Sequence, residues 1–141
     1  MKKQDTEQYR DIVINRIESH FGVSLSQVIG RRKWLKDNRG RKFWVLVGSK
    51  TWHGIPEEMM DSEIHNPSNG VLVIAKIDNK ISNVDISIYH CPLEAFVKNR
   101  NKLSRARRGN NDYQFTYKEE RGMAIVNQES TIALHKLPVN L

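Results

Sequence analysis

One short stretch of the chain is rich in side chains that can bind a divalent cation. It contains two histidines and four acids, namely His53, Glu57, Glu58, Asp61, Glu63 and His65. On a helix, Glu57, Asp61 and His65 would lie on one side because they are four residues apart. Carboxylate and imidazole groups suit divalent ions, but residues 57 and 65 are too far apart to reach the same ion. Acids are also expected near the start of a helix because of its dipole, so this stretch predicts a helix and no metal site.

Asp78-Asn79-Lys80 is a second place where the residue types would allow catalysis. A spacing loosely similar to that of restriction-type nucleases results if Asp61 or Glu63 is taken as the upstream acid. The carboxylates would then hold Mg²⁺, and Lys80 would orient or activate the attacking water. The same three residues between two apolar runs are typical of a hairpin turn. We favour the turn and keep the nuclease, with Mg²⁺ as its cofactor, as an alternative function.

The positive charge of the chain is concentrated in two segments, which we call the first basic block (residues 31–42) and the second basic block (residues 98–108). These 23 positions contain 13 of the 23 Lys and Arg residues and one of the 16 acids, Asp37. The other positions hold 10 basic and 15 acidic residues, a net charge of −5. Concentrated Lys and Arg attract polyanions, of which nucleic acid is the commonest. The leading hypothesis is therefore a nucleic-acid-binding domain, with DNA preferred over RNA.

Both basic blocks are expected to contact phosphates, which position a nucleic acid without specifying its sequence. Trp34 is added to this interface because its neighbours Arg32, Lys33 and Lys36 give little reason to bury its ring. The predicted interface residues are Arg31, Arg32, Lys33, Trp34, Arg39, Arg41 and Lys42 in the first block, and Lys98, Lys102, Arg105, Arg107 and Arg108 in the second. The hypothesis requires that the fold bring both blocks to one face. A basic protein that docks on an acidic protein partner is a third hypothesis for the same charges.

Length and composition limit the other classes of protein. A chain of 141 residues with 38% hydrophobic and 28% charged residues is typical of one globular domain. The lone Cys91 cannot form an intramolecular disulfide, and no apolar run approaches the roughly 20 residues of a membrane span. The basic start lacks the apolar core of a secretory signal. We therefore expect a cytoplasmic protein that uses no metal or cofactor apart from Mg²⁺ in a nuclease, and a homodimer is compatible with this expectation.

Apolar periodicity predicts the elements that would hold these side chains. Residues of about 4–29 are expected to be helical, with one helix ending at Gly22 and a short helical turn over residues 24–29. A sheet-containing body is expected over residues of about 43–137. Its predicted strands are residues 43–47, 71–77, 81–89, 113–117, 123–126 and 131–136, and its predicted helices begin at Pro56 and Pro92. This order predicts a single α+β domain with a mixed or mainly antiparallel sheet and helices packed on it.

The helix that begins at Pro92 is expected to continue to residue 107 and to carry a cationic ridge. Wound at 100° per residue, it would place Lys98, Lys102 and Arg105 on one side and apolar residues on the other. The ridge would then face an anionic partner while the apolar side packs on the core.

Three aromatic residues, Tyr113, Phe115 and Tyr117, alternate with polar residues further along the chain. A strand would point all three rings the same way, and an exposed face of this kind would stack unpaired bases. Large aromatic side chains are ordinarily buried, so we predict that these rings belong to the core.

Overall fold

The computed structural model describes residues 3–28, 31–81, 83–105, 112–127 and 132–138. Within these ranges the chain forms three α-helices and ten strands. Their order is α1 (Lys3–Phe21), β1 (Ser26–Val28), β2 (Arg31–Lys36), β3 (Lys42–Gly48), β4 (Trp52–Ile55), α2 (Glu57–His65), β5 (Val71–Asn79), β6 (Val84–Pro92), α3 (Leu93–Lys98), β7 (Ser104–Arg105), β8 (Tyr113–Glu120), β9 (Met123–Val126) and β10 (Ala133–Lys136). In the described part of the chain, no helix is long and apolar enough to cross a membrane.

A single mixed sheet contains all ten described strands. The strand order from one edge to the other is β1-β2-β3-β5-β6-β10-β9-β8-β4, and β7 pairs with β8 beside this path. The pairing of β3 with β5 is parallel, and the other described pairings are antiparallel. The mixed, mainly antiparallel sheet is therefore as predicted. It dominates the fold more than a picture of helices packed on a sheet suggests.

The two faces of the sheet pack against different helices, because successive residues of a strand point to opposite sides. On the face that we call inner, Trp44 of β3 belongs to the same buried cluster as Met60 of α2 and Phe96 of α3. On the opposite face, called outer, Phe43 of β3 packs in a second cluster with Val13 of α1.

The sheet curls around the inner cluster, so that β4 returns to the end of β3. These strands are six places apart in the sheet order, which is about 29 Å in a flat sheet at about 4.8 Å per strand. A Cβ at Gly48, the last residue of β3, would nevertheless lie only 3.6 Å from Cε1 of His53 in β4. The edge strand β4 therefore lies beside the end of β3, and the inner face of the sheet is concave.

Several predicted elements are confirmed. The first helix ends at Phe21, and Gly22 has the left-handed φ of +65° that commonly terminates a helix. Pro56 and Pro92 each stand immediately before a helix. The predicted hairpin is formed by β5 and β6, although Asp78 and Asn79 still belong to β5.

Two predicted helical segments are wrong. Residues 26–28 form the edge strand β1, which pairs with β2, in place of a helical turn. The helix expected over residues 92–107 ends at Lys98 and is followed by a 3₁₀ turn, Arg100–Lys102, and by β7. Asn99 explains this early end, because its side-chain amide donates to the carbonyl of Ala95 (2.8 Å) and competes with the backbone bonds of a continuing helix. Arg100 donates in the same way to the carbonyl of Val97 (2.6 Å).

Candidate nucleic-acid interface

The first basic block folds as a β-hairpin made of β2, a tight turn and the start of β3. The cross-strand pairs are Trp34–Trp44, Leu35–Phe43 and Lys36–Lys42. The apolar periodicity had predicted no helix or strand for residues 31–42. The structure instead fixes its cations on a regular two-stranded ribbon.

Asp37, the one acid of the first block, holds the turn of this hairpin. Its Oδ1 accepts hydrogen bonds from the backbone N–H groups of Arg39 and Arg41, both at 2.9 Å, and its carbonyl accepts one from Gly40 at 3.2 Å. Gly40 has a φ of +85°, a conformation that glycine adopts without steric cost. The carboxylate is almost completely buried. Asp37 therefore shapes the turn that presents the neighbouring cations.

Three cations of the hairpin are exposed: Lys33, Lys36 and Arg39. None of them forms an ion pair with a carboxylate in the described part of the chain. Unpaired, exposed cations on a rigid support provide the positive potential that a phosphate backbone requires.

Arg41 and Lys42 are held at the base of the hairpin. The Arg41 guanidinium lies 4.9 Å from the ring centre of Phe43 and 3.9 Å from Oδ2 of Asp37. The Lys42 ammonium donates to Oγ of Ser62 in α2 (2.7 Å) and lies 5.3 Å from the Trp34 ring centre. Arg41 and Lys42, which were predicted to contact phosphates, therefore make more contacts within the protein than the three exposed cations do. Arg31 and Arg32 lie in β2, and their side chains are outside the described part.

The expected exposure of Trp34 is wrong. Its side chain is only 8% exposed and belongs to the inner cluster with Trp44. The charged neighbours of Trp34 were a poor guide, because the adjacent Lys33 points to the opposite face of the strand. Lys36 shares the face of Trp34 but is exposed at the end of β2.

Two cations of the second basic block are paired with carboxylates. Lys98 forms an ion pair with Glu94 one helical turn earlier (3.0 Å). Arg105 forms an ion pair with Glu57, and its guanidinium lies 4.0 Å from the ring centre of Tyr113. Lys102 is exposed. Arg107 and Arg108 are outside the described residues.

The two basic blocks meet α2 from different sides. Lys42 of the first block contacts Ser62, and Arg105 of the second block contacts Glu57. These two positions of α2 are about 140° apart around the helix axis, and the exposed acids Glu58 and Asp61 lie in the arc between them. The single cationic face required by the hypothesis is therefore interrupted by an acidic helix, and the first block is the stronger candidate.

The residues predicted for a nuclease are not brought together. Asp61 is exposed on α2, and Glu63 is buried with its Oε1 accepting from the backbone N–H of Ser68 (2.8 Å). Ser68 precedes the start of β5, whereas Asp78 is at the other end of this strand, about 20 Å away. Lys80 forms an ion pair with Asp85 across the turn between β5 and β6.

Lys76, Asp78 and Glu119 form a polar cluster on the inner face that the sequence analysis missed. The Lys76 ammonium lies 2.8 Å from Glu119 Oε1 and 3.7 Å from Asp78 Oδ1, and Tyr89 donates its hydroxyl proton to Glu119 Oε2. Burial alone would raise the pKa of Glu119, but the bonds from Lys76 and Tyr89 lower it below its usual value. Alternation of side chains along β5 would have placed Lys76 and Asp78 on one face of the sheet. Glu119 could not have been added in this way, because it is 43 residues from Lys76 in the sequence. Among the described residues, no three His, Cys, Asp or Glu side chains could hold a metal ion.

Aromatic side chains border this polar cluster. Tyr113, Phe115 and Tyr117 are all buried in the inner cluster, so their predicted place in the core is confirmed. The rings of His53 and Tyr117 are nearly parallel, with an interplanar angle of 7° and centres 6.0 Å apart. Burial lowers the pKa of His53 to about 4, and the positive charge of Lys33 contributes to this shift.

The chain matches no known protein family, no curated protein and no solved structure. Function is therefore inferred from the residues of this chain alone.

Proposed function

We propose that this protein binds nucleic acid, with duplex DNA as the preferred ligand and RNA as the second choice, and that the hairpin of β2 and β3 is the main contact. The observation that carries this proposal is the exposed set Lys33, Lys36 and Arg39, which forms no ion pair within the described residues. A two-stranded ribbon fits the major groove of B-DNA. A cytoplasmic location, and a homodimer that would present two such hairpins, belong to the same proposal.

Rigidity of the turn adds to the case for the hairpin. Because Asp37 already bonds the backbone of Arg39 and Arg41, ordering this segment on a ligand costs little conformational entropy. Lys102 of the second block is exposed and would extend the contact on the far side of α2, where Lys98 and Arg105 are paired with carboxylates.

Replacing Lys33 and Arg39 together with alanine is expected to weaken binding to duplex DNA and to reduce its salt dependence. Each phosphate contact contributes about −0.9 to the slope of log K against log salt, so the slope should become shallower by about 1.8. Fluorescence anisotropy of a labelled duplex over a salt series measures this slope.

The matched control for this experiment replaces Lys80 and Lys136, which changes the net charge equally. Lys80 is paired with Asp85, and Lys136 lies near Glu119, so the control slope should equal that of the wild type. Equal slopes for all three proteins would contradict the proposal. Repeating the series with Mg²⁺ tests the nuclease alternative, which requires cleavage that is lost in Asp78→Ala.

Replacing Asp37 with alanine is expected to weaken binding severalfold although it makes the protein more positive. The substitution removes the acceptor for two backbone N–H groups of the turn and should cost about 1–3 kcal/mol of local stability. A titration of the same labelled duplex gives the affinity. Asp61→Ala removes one negative charge from the exposed surface of α2 and should bind as tightly as the wild type or more tightly. Tighter binding by both variants would show that net charge alone governs affinity.

A further inference from the structure

Part of the outer face of the sheet has no described helix packed on it. The outer cluster that includes α1 draws its strand residues from β2, β3, β5 and β6, for example Phe43 and Ile88. The buried residues of β4, β8, β9 and β10 all belong to the inner cluster. In the described chain, the outer side of these four strands has no helix on it and no fully buried residue: Trp52, Thr116 and Lys118 are exposed there, and Met123 and Ile125 are half-buried. We call this side the open face.

Trp52 is the most conspicuous residue of the open face. Its side chain is 51% exposed, and its cross-strand neighbour Thr116 is exposed as well. The other two tryptophans are buried, with Trp34 8% and Trp44 0% exposed. A single exposed apolar side chain needs no special explanation, so its surroundings decide whether it has a role.

Two lysines stand next to Trp52 on the open face. Lys118 follows Thr116 by two residues on β8 and is exposed, and Lys50 precedes Trp52 by two residues and is exposed. Tyr117 donates its backbone N–H to the carbonyl of Thr51 (2.9 Å), which continues the pairing of β4 with β8 toward Lys50. The antiparallel register therefore places Lys50 opposite Lys118, so both cations lie on the same side of Trp52. An aromatic ring beside cations suits single-stranded nucleic acid, because bases stack on the ring and phosphates pair with the lysines.

Strand β4, which carries Trp52, lies next to the strands of the hairpin. His53, the chain neighbour of Trp52, points to the inner face against Tyr117, and its Cε1 would be 3.6 Å from a Cβ at Gly48, the last residue of β3. The charge of Lys33 in β2 also contributes to the lowered pKa of His53. Trp52 points to the other side of β4, on the open face.

We propose that the open face binds an unpaired stretch of nucleic acid and that Trp52 stacks on one of its bases, with Lys50 and Lys118 contacting phosphates on one side of that base. This inference rests on the proposed function and specifies its ligand as nucleic acid with a single-stranded segment next to the part that the hairpin holds. Stacking tolerates any base, so the contact adds affinity without reading sequence.

The test compares a short oligothymidylate with an abasic strand of the same length, since both carry the same phosphates and only one carries bases. The wild type is expected to bind the thymidylate about 5- to 150-fold more tightly than the abasic strand. It should also lose tryptophan emission on binding, because Trp52 is the exposed tryptophan. In Trp52→Ala the preference for bases should disappear while binding of the abasic strand is retained.

Two controls make the outcome specific. Ile81→Ala removes another exposed apolar side chain, in the turn after β5, and should keep the full preference for thymidylate. Trp52→Phe retains a smaller aromatic ring and should keep part of the preference for thymidylate. An unchanged preference in Trp52→Ala would overturn the inference, as would equally tight binding of polyglutamate, which would identify the face as a docking site for acidic protein.

Failure of this inference is distinguishable from failure of the proposed function. If the wild type binds duplex DNA with the expected salt slope but does not distinguish thymidylate from the abasic strand, the open face has no stacking role and the hairpin proposal stands. If the wild type binds neither duplex nor single strand, both are overturned.

Discussion

Replacing Gly70 with alanine is expected to destabilise the protein by about 3 kcal/mol or more, or to prevent folding. A Cβ at this position would lie 2.2 Å from the carbonyl oxygen of Lys42, 2.8 Å from Cδ1 of Leu93 and 2.9 Å from Oγ of Ser68. The nearest of these atoms belongs to the backbone and cannot rotate away. Relief of the overlap would require the start of β3 to move from the start of β5, and Lys42 links β3 to the hairpin turn.

Gly22→Ala is the matched control for this prediction. Gly22 has a φ of +65° with open space around its Cβ position, so alanine there should cost only the strain of a left-handed residue, about 1 kcal/mol. Urea unfolding of both variants gives the two free energies. Equal losses would contradict the steric explanation for Gly70. A folded Gly70→Ala variant should also bind DNA less tightly, because the base of the hairpin has shifted.

Local signals in the sequence were sufficient for the elements that depend on one or two residues. Gly22 ends α1, and Pro56 and Pro92 precede helices, because each fixes a backbone conformation regardless of what packs nearby. An apolar run identified β5, alternation of apolar and polar residues identified β6 and β8, and the burial of the β8 rings followed from the usual burial of large aromatic side chains. The α+β class and the mixed sheet follow from these elements.

Elements that depend on distant partners were not predictable in this way. β1 is three residues long and owes its conformation to pairing with β2. The second basic block has helical periodicity, but it leaves the helix at Asn99 and supplies β7, which pairs with β8. The return of β4 to the end of β3 depends on the twist of the whole sheet, and no residue in β4 encodes it alone.

The same distinction applies to the candidate site. The charge of both blocks could be counted from the sequence, but its neutralisation could not, since Arg105 is paired with Glu57 across 48 residues. The role of Asp37 was also hidden, because its spacing to Arg39 and Arg41 has meaning only once the turn is known. A cation count therefore overstated the second block and gave no reason to prefer the first.

The second large effect expected is a loss of stability in acid that originates at His53. Burial and the charge of Lys33 lower its pKa to about 4 in the folded protein, whereas the ordinary value is 6.5. Between these pH values the unfolded chain binds a proton that the folded protein does not, so stability falls as the pH falls. The contribution is fully present above about pH 6.5, and about 3 kcal/mol of it is lost by about pH 4.

His53→Phe should remove this acid sensitivity, because phenylalanine retains a ring against Tyr117 and Phe115 and has no titrating nitrogen. Urea unfolding between about pH 7 and about pH 4 is expected to show a variant as stable as the wild type at neutral pH and about 3 kcal/mol more stable than it at the acid end. The loss of stability in acid should not vanish completely in this variant, because burial also lowers the pKa of His90. The lowered pKa of Glu119 adds a further loss of stability at still lower pH. The control is His65→Phe on the exposed side of α2, whose pH curve should follow that of the wild type. Parallel curves for wild type and His53→Phe would mean that the imidazole is hydrated in the folded protein, and that β4 does not close against the end of β3 as tightly as its contact with Gly48 indicates.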